Sequence, residues 1–483
     1  MIDYDGQGED LLLDVALNMT VEGSNLHFSF RGDDQICAFI NGTTGVCHGW
    51  VMTALLTTLG YGDLPFNAGM WRPLSFDLGP EGAVINAIPP VPLSGGHAAA
   101  GQAVMRLAKA ALNQSFSLSD DPVIRSRVGG VSDTGGPMAP LGGIGRTGAP
   151  TVLFFMDAVA GCGGGAQTSS DGLDCYGSTV MPGVGLASIE TNEANQPALY
   201  LWRRLVSNSG GPGISRGGQG LEIAYSIYDT DRTAGALTLP VAQVPANGVG
   251  GGYPGANGLI TAIHATNVEK RIAQGLQTFE DSLEGRRPDY PSNVGHITLD
   301  RGDVVLMRGA GGGGAGDPIL RPADLVAADI RDGYITTANA KSAYGVAIAD
   351  DGTVDDTETG QLRAQIRRTR ISGEPTRAQT HPETPGVAIM RSARRWSCSY
   401  CLGDLGPVEE NWRDNAVARS SAVIDLFADA QMYTRVRKSG APVSITEFFC
   451  GSCAGLLATD IHQHHAARPA APTVLQHTTA KEN

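Results

Sequence analysis

Short apolar runs separated by glycine and polar turns open the chain. LLLDVALNM, NLHFSF and QICAFI, from Leu11 through Phe39, are divided by Gly23-Ser24-Asn25 and Gly32-Asp33-Asp34, which predicts consecutive strands of an antiparallel sheet. The period then changes. Val51, Leu55, Leu56 and Leu59 recur at helical spacing, so Cys47 to Leu59 is expected to be a helix stopped by Gly60 and Gly62. A second helix, His97 to Leu112, turns Val104, Leu107 and Leu112 inward. Strands are expected from Thr151 to Phe155, Ala198 to Val206 and Leu221 to Tyr228, although Leu199, Trp202 and Leu205 break strict alternation in the second. Gly295 to Leu299 and Asp303 to Met307 read as a hairpin around Arg301-Gly302. Ala323 to Arg331 is helical up to Gly333, and Thr336 can cap a short helix through Ala343. Between Asp351 and Arg370 acidic residues come first and basic ones last, which complements a helix dipole and reads as a solvated or docking helix.

Glycine is the next signal, with 65 in the chain. It is densest from Asp157 to Gly220, where GCGGGAQTSSDGLDCYG and NSGGPGISRGGQG flank the Ala198 to Val206 strand. Glycine at this density permits positive φ and close backbone approach, as the corners of a β-rich scaffold require. The other reading is an anion-binding nest, made from the amides of Ser209 to Gly213 with Arg216 as the cation. It is not a Walker loop, because the lysine and following hydroxyl are missing. The run Gly309 to Gly316 is no phosphate cradle either: Asp317 to Leu320 separate it from the next helix. Val241 to Gly258 has no periodic pattern and reads as a long surface loop or a contact arm to a partner.

The formal charge of −14 disfavours nucleic acid and anionic membranes as partners, and no apolar run approaches the ~18 residues of a membrane span. Eight cysteines, four of them in two CxxC pairs, fit a reducing compartment, so a cytoplasmic location is expected. Cys37, Cys47, Cys162 and Cys175 read as free thiols. His48 and His97 have no partner at metal-ligand spacing and receive no role.

Residues 371–390 form a linker by composition, rich in proline and without apolar periodicity. Beyond it, Cys398, Cys401, Cys450 and Cys453 form two knuckles that can hold one tetrahedral zinc ion. Four sulfurs leave no open position, so the zinc is expected to be structural. The stretch around Arg413 to Asp429 is expected to be helical. His462, His464 and His465 precede a tail, 467–483, expected to be disordered. The expected fold class is α+β: a β-rich body with glycine-rich loops and packed helices over 1–370, then a small zinc-ribbon-like domain over 391–466.

Several rare motifs in order resemble the hydantoinase B / 5-oxoprolinase family, which includes the large subunits of acetone and acetophenone carboxylases. They are Phe66 to Gly69, Pro80 to Gly82 through Asn86, Asp171-Gly172, Glu190, Pro197, NSGGPGISRGGQG, and GGGGAGDPILRPADLVAADIRDGYITTANAKSAYGV from Gly311 to Val346. Two positions depart from the family pattern: Ala315 replaces an aromatic and Ala187 an acidic residue. The family's N-terminal histidine and aspartate metal motif has no counterpart here, so the chain looks like the C-terminal half of a split large subunit. CSYCLGDLGPVEENWRDNAVARSS and ITEFFCGSCAGLLATDI are similar to the small gamma subunit of acetone carboxylase-type enzymes, here fused behind the body.

The resemblance implies a subunit of a multi-subunit ATP-dependent ketone carboxylase, inactive alone, that uses ketone and bicarbonate. The alternatives are a subunit of an ATP-dependent cyclic-amide hydrolase and a non-catalytic scaffold. ATP and the catalytic metal are expected on partners: a hydantoinase A-like ATP-binding subunit, and a subunit carrying the missing N-terminal half. Within this chain Arg216 with Asn208 and its loop would stabilise anionic oxygens, and Glu190 would orient a donor or take a proton.

Overall fold

A computed structural model describes residues 11–60, 65, 67–132, 136–178, 181–182, 185–239, 244–291, 293–429, 432 and 443–463. The fold is α+β, built from several small sheets, helices and glycine-rich segments.

The N-terminal layer follows the sequence pattern in its first two strands, but the third expected strand, 35–40, is irregular, and the sheet takes its third strand from farther along the chain. Strand β1 (Val15–Glu22) pairs antiparallel with β2 (Asn25–Gly32), and β3 (Leu74–Asp77) adds to β2 in parallel. Alternation points Phe28 and Phe30 into the core, where they meet helices α1 (Thr44–Leu55) and α2 (Ala100–Ser117). Helix α1 starts three residues earlier than the apolar spacing suggests, because the Thr43 hydroxyl accepts the Val46 amide and caps it. Its end is a π turn, Leu56–Gly60. Helix α2 runs further than expected, to Ser117, with Phe116 joining the same core.

Two four-stranded sheets pack face to face behind this layer. One has the order Asn293–Asp300, Arg232–Thr238, Leu141–Ile144, Pro150–Leu153; the other, Leu259–Ile263, Val304–Arg308, Leu221–Ile227, Ala198–Leu205. Between them lie Ile223, Tyr225, Ile227, Leu237, Leu299, Val305 and Met307. Ala198–Leu205 carries a bulge between Tyr200 and Trp202, which is why its apolar positions do not alternate.

The expected hairpin around Arg301-Gly302 is not one. Asn293–Asp300 and Val304–Arg308 pair in different sheets. Gly302, at φ +82°, turns the chain at a corner, where the Arg301 amide donates to Asp231 O and the Gly302 amide to Ile227 O.

The glycine segments occupy the centre. Gly311, Gly312 and Gly313 donate in turn to Ala256, Gly218 and Val131, and Gly314, Ala315 and Gly316 then donate to Tyr253, Ser215 and Val249. Two of the three neighbouring segments, 253–256 and 215–218, thus recur at every third residue, the periodicity of an extended threefold helix that bonds to other segments and not to itself. The segments 161–166 and 209–220 join the same bundle through Gly163 to Ala310, Ala166 to Gly313 and Gly218 to Gly164. A Cβ on Gly163, Gly217, Gly218, Gly311 or Gly312 would be driven into a neighbouring backbone carbonyl. The described part of the 241–258 stretch, 244–258, is an inner strand of this bundle and not a surface loop or contact arm; Ala246, Ala256 and Asn257 are buried.

Helices Ala323–Arg331 and Thr337–Tyr344 follow, and Asp355 caps the helix Asp356–Ile371. That last helix docks: Arg363 donates to the Tyr344 and Arg321 carbonyls, and Arg370 is buried. The 371–390 stretch packs on the C-terminal module, with the Thr376 and Arg377 amides both donating to Ser452 O.

The module holds two three-stranded sheets, Ile389–Arg391 with Arg395–Cys398 and Asp404–Pro407, and Val417–Ala422 with Val443–Phe449 and Leu456–Gln463. The expected helix over 413–429 is instead a 3-10 turn at Trp412–Asn415, the strand Val417–Ala422, and a helix only at Val423–Ala428. Pairing with Val443–Phe449 takes over the middle of that stretch. The core of the module includes Leu320 from the body, with Ile214 and Leu118 packed on it. Among the described residues, His462 meets the Thr446 hydroxyl at 2.8 Å; His464, His465 and the 467–483 tail lie outside them.

Candidate functional site

Two centres stand out. At the first, the sulfurs of Cys398, Cys401, Cys450 and Cys453 all lie within 4.8 Å of one another. Two hairpin knuckles with matching bonds bring them there. The Cys398 amide donates to Gly403 O at 2.8 Å and the Leu402 amide to Cys398 O at 2.8 Å, while the Cys450 amide donates to Gly455 O at 2.9 Å and the Ala454 amide to Cys450 O at 2.8 Å. Leu402 and Ala454, at φ +56° and +61°, fold each knuckle back. The Gly403 amide then points at the Cys401 sulfur at 3.3 Å, and Gly455 at that of Cys453 at 3.4 Å. These amides fix where the two sulfurs sit. The four residues fit a metal ion, and the repeated C-x-x-C-x-G spelling of CSYCLG and CGSCAG is the signal for it. The spacing of the cysteines alone pointed to the site; the trailing glycines add to that signal.

This centre is wired into the body. Ala454 O accepts from Arg370 at 3.2 Å, and the Leu456 amide donates to Asp317 at 2.9 Å. Asp317 also accepts from Gln379 at 2.7 Å. The Tyr400 hydroxyl, between Cys398 and Cys401 in sequence, donates to Gly250 O at 3.0 Å. Tyr253 of the bundle donates to Glu447 at 2.5 Å.

The second centre surrounds Arg216, which is 5% exposed. Its guanidinium lies 3.2 Å from Asp329, 3.3 Å from Asp174 and 4.0 Å from Asp171, and stacks 4.1 Å from the centre of the Tyr334 ring. Arg321 completes the network, gripping Asp171 at 2.7 and 2.8 Å and Asp329 at 2.9 Å. Burial would push the Asp171 carboxyl up, but Arg321 and Arg216 hold it below the usual carboxylate range. Burial keeps Asp329 above that range. The amides around Arg216 are occupied. Those of Ser209 and Gly210 share Gln219 Oε1 at 2.9 Å, and those of Gly211, Ile214, Ser215 and Gly217 donate to backbone carbonyls. A nest open to an anion is therefore not formed by these groups.

Asn208 sits at φ +62° and is 3% exposed. Its side chain accepts the Thr336 amide at 2.8 Å and donates to the Thr336 hydroxyl at 3.1 Å, tying the bundle to the cap of the Thr337–Tyr344 helix. Glu190 is separate from both. It is exposed in the first turn of the helix Ile189–Asn195, where the Ser188 hydroxyl donates to it at 2.8 Å. The carboxylate behind this segment is Asp157, 1% exposed, which accepts from the Tyr200 hydroxyl at 2.9 Å and the Ala187 amide at 3.1 Å. Asp157, Asp174, Asp317 and Asp329 carry no signal of their role in the sequence; nothing in their local spacing points to their partners.

No helix among the described residues is long and apolar enough to cross a membrane. A family model described as Hydantoinase B/oxoprolinase matches residues 2–318. The caprolactamase subunit beta of Pseudomonas jessenii is 28% identical over 372 residues, covering 74% of this chain and 57% of that protein. The acetone carboxylase alpha subunit of Xanthobacter autotrophicus is 30% identical over 230 residues, covering 44% of this chain and 29% of that protein. In three dimensions, a nucleotide-free structure of acetone carboxylase superposes with a TM-score of 0.66 at 24% identity, over 74% of this chain and 49% of that one. An ATP-dependent caprolactamase from Pseudomonas jessenii superposes with a TM-score of 0.59 at 25% identity, over 74% and 59%. The chain thus spans well under two thirds of these relatives.

Proposed function

Because the chain belongs to the hydantoinase B/oxoprolinase family, we propose that it is a subunit of an ATP-dependent ketone carboxylase, acting on a ketone with bicarbonate. The observation that carries this reading is the four-cysteine module seated on the glycine bundle, whose sequence resembles the gamma subunit of acetone carboxylases. In this reading the cysteines hold a structural zinc ion. Four thiolates close its coordination sphere, and retaining free thiolates suits a reducing cytoplasm.

Related enzymes use ATP, and ATP would make an oxygen of bicarbonate, an enolate or an amide reactive. This chain would supply walls. A bundle in which backbone packs on backbone leaves no room for water, which a phosphorylated intermediate requires. Partner subunits would provide the rest: a hydantoinase A-like chain for ATP, and one carrying the catalytic metal. Asn208 and Arg216 would act by holding the bundle and its flanking helices, and Glu190, exposed and aside from them, is the group available to a partner's site. The second reading, an ATP-dependent cyclic-amide hydrolase, is favoured by the 74% coverage of this chain by a caprolactamase subunit.

The test is turnover by the complex co-purified with this chain, supplied with ATP. A ketone panel with labelled bicarbonate is compared with caprolactam, hydantoin and 5-oxoproline without bicarbonate. Ketone-dependent incorporation of label is the expected outcome. Ring opening without incorporation transfers the chain to the hydrolases, and turnover by the isolated chain refutes the subunit role.

A further inference from the structure

A carboxylate, an imidazole and a phenol are joined in one hydrogen-bonded chain at a corner of the two large sheets. His264 follows the strand Leu259–Ile263, Asp303 precedes Val304–Arg308, and Tyr290 comes shortly before Asn293–Asp300. His264 Nδ1 donates to Asp303 Oδ2 at 2.8 Å, and the Tyr290 hydroxyl donates to His264 Nε2 at 2.6 Å. Asp303, 4% exposed, also accepts the Ala265 amide at 2.7 Å and the Asp300 amide at 3.1 Å. A carboxylate at Nδ1 assigns the proton of the neutral imidazole to that nitrogen, so Nε2 is the acceptor turned to the phenol.

Two features exceed what tethering a loop requires. Ala265 takes a left-handed φ of +51°, uncommon outside glycine, and its amide meets Asp303 behind the imidazole. Arg286 lies directly opposite His264 in an antiparallel bridge, each amide donating to the other's carbonyl at 2.9 Å. The side chains of such a pair leave one face with their Cβ atoms about 5 Å apart, which sets the exposed Arg286 beside the imidazole. The charge of Arg286 acts on the Tyr290 phenol as well. The Tyr290 ring packs against the core between the two sheets, and the residue is half-buried.

We infer that Asp303, His264, Tyr290 and Arg286 form an acyl-transfer site for aryl esters and similarly activated carboxylic esters, with Tyr290 as the nucleophile. A hydroxyl bonded to a base that a third group orients is the arrangement that activates nucleophiles. The phenol oxygen attacks the ester carbonyl carbon as its proton passes to His264 Nε2. The tetrahedral adduct carries one negative charge, beside the Arg286 cation. It collapses as the C–O bond to the leaving alcohol breaks, and that oxygen takes the proton from His264. Water, deprotonated by the same nitrogen, attacks the acyl-tyrosine, and the departing phenol oxygen recovers the proton. Asp303 touches no reacting atom and is a positioning residue. The nucleophile sets the substrate class, because a phenol displaces leaving groups about as acidic as itself, which aryl esters have and alkyl esters lack. A phosphoryl group would bring two or more negative charges to a site with one cation.

The experiment treats the full isolated chain with p-nitrophenyl acetate, follows p-nitrophenol release, and maps acetyl groups in acid-quenched samples by mass spectrometry. Tyr290 is expected to be acetylated about 100-fold faster than Tyr228 and Tyr334, which are half-buried like it but stack on arginines. Tyr290→Phe should remove the fast phase of release, and His264→Gln should slow it about 100-fold. Asp303→Asn presents the imidazole in the wrong tautomer and should lower kcat about 100-fold or more while KM stays within about two-fold, a split that a merely structural role would not produce. The comparison among tyrosines needs no variant, so it decides the matter where a variant does not fold. The site is refuted if Tyr290 is acetylated no faster than Tyr228 and Tyr334, or if Tyr290→Phe releases p-nitrophenol at the parent rate. Neither ATP nor ketone is present, so this result stands apart from whether the complex carboxylates ketones.

Discussion

Asp317 and Arg370 meet as a bidentate ion pair, at 2.7 and 2.9 Å, with Asp317 fully buried at the junction of the glycine bundle and the cysteine module. Asp317 ends the bundle, Arg370 ends the docking helix, and the second cysteine knuckle closes over both. Replacing Arg370 by Met leaves a buried carboxylate with only amide donors, so a loss of about 3–5 kcal/mol in urea unfolding is expected. Arg395→Ala, which breaks the exposed pair with Asp404, should leave the unfolding midpoint unchanged. Equal effects from the two would show that the junction does not carry the load assigned to it.

Metal removal should be felt beyond the module. Its core contains Leu320 of the body, and the knuckle backbone is bonded to Arg370 and Asp317. Elemental analysis is expected to give one zinc per chain. Stripping it with a chelator should lower one shared thermal transition, and hydrogen exchange should rise at 311–317 as well as around the cysteines. A body transition that stays in place while the module melts alone would contradict this coupling.

Glycine substitutions should divide sharply by position. Gly218→Ala and Gly312→Ala force a methyl into the carbonyls of Leu173 and Gly164, so neither variant should accumulate as soluble protein. Gly49 lies in α1, where an added methyl would meet no atom within 4 Å, and Gly49→Ala should stabilise the protein by about 0.5–1 kcal/mol. Thermal unfolding and soluble yield measure both. Tolerance of Gly312→Ala would overturn the close-packed bundle.

Acid stability should depend on Glu222. This carboxylate, 1% exposed, accepts from Trp202 Nε1 at 2.9 Å, Arg204 Nε at 2.9 Å and Arg308 Nε at 2.7 Å. Burial would raise its pKa, but Arg308, Arg204 and Trp202 bring it below the ordinary 4.5. The folded state therefore binds this proton less tightly than the unfolded one. The stabilisation is fully present above pH 4.5 and is lost as the pH falls below it. Glu222→Gln should lower stability at neutral pH and flatten the decline between neutral and acid pH, as followed by urea midpoints across that range. An unchanged acid slope would exclude Glu222 as its source.

Much of the architecture was legible in local order. Phe28 and Phe30 alternate as strand residues must, Val51 and Leu55 repeat as a helix requires, and the two CxxC pairs announce a tetrahedral site on their spacing alone. The candidate residues of the body were less legible. Arg216 was identified by its glycine surroundings, but its partner Asp329 lies 113 positions away, and no spacing rule connects them. Glu190 was grouped with Arg216 by the family resemblance, whereas its helix, Ile189–Asn195, places it on an exposed turn.

The sequence by itself determined most strands and helices of the body, where glycine concentrates, and that four cysteines close on one point; it misassigned 413–429. Those properties depend on residues a few positions apart, or on a ligand geometry that admits few solutions. Only the tertiary structure decided that Asn293–Asp300 and Val304–Arg308 part into different sheets, that 244–258 runs inside the molecule, and that the cysteine module shares its core with the body. Glycine has no side chain with which to mark an inward or outward face. A segment whose amides turn to a new neighbour at each residue carries no hydrophobic period, so its place is set by the backbones around it.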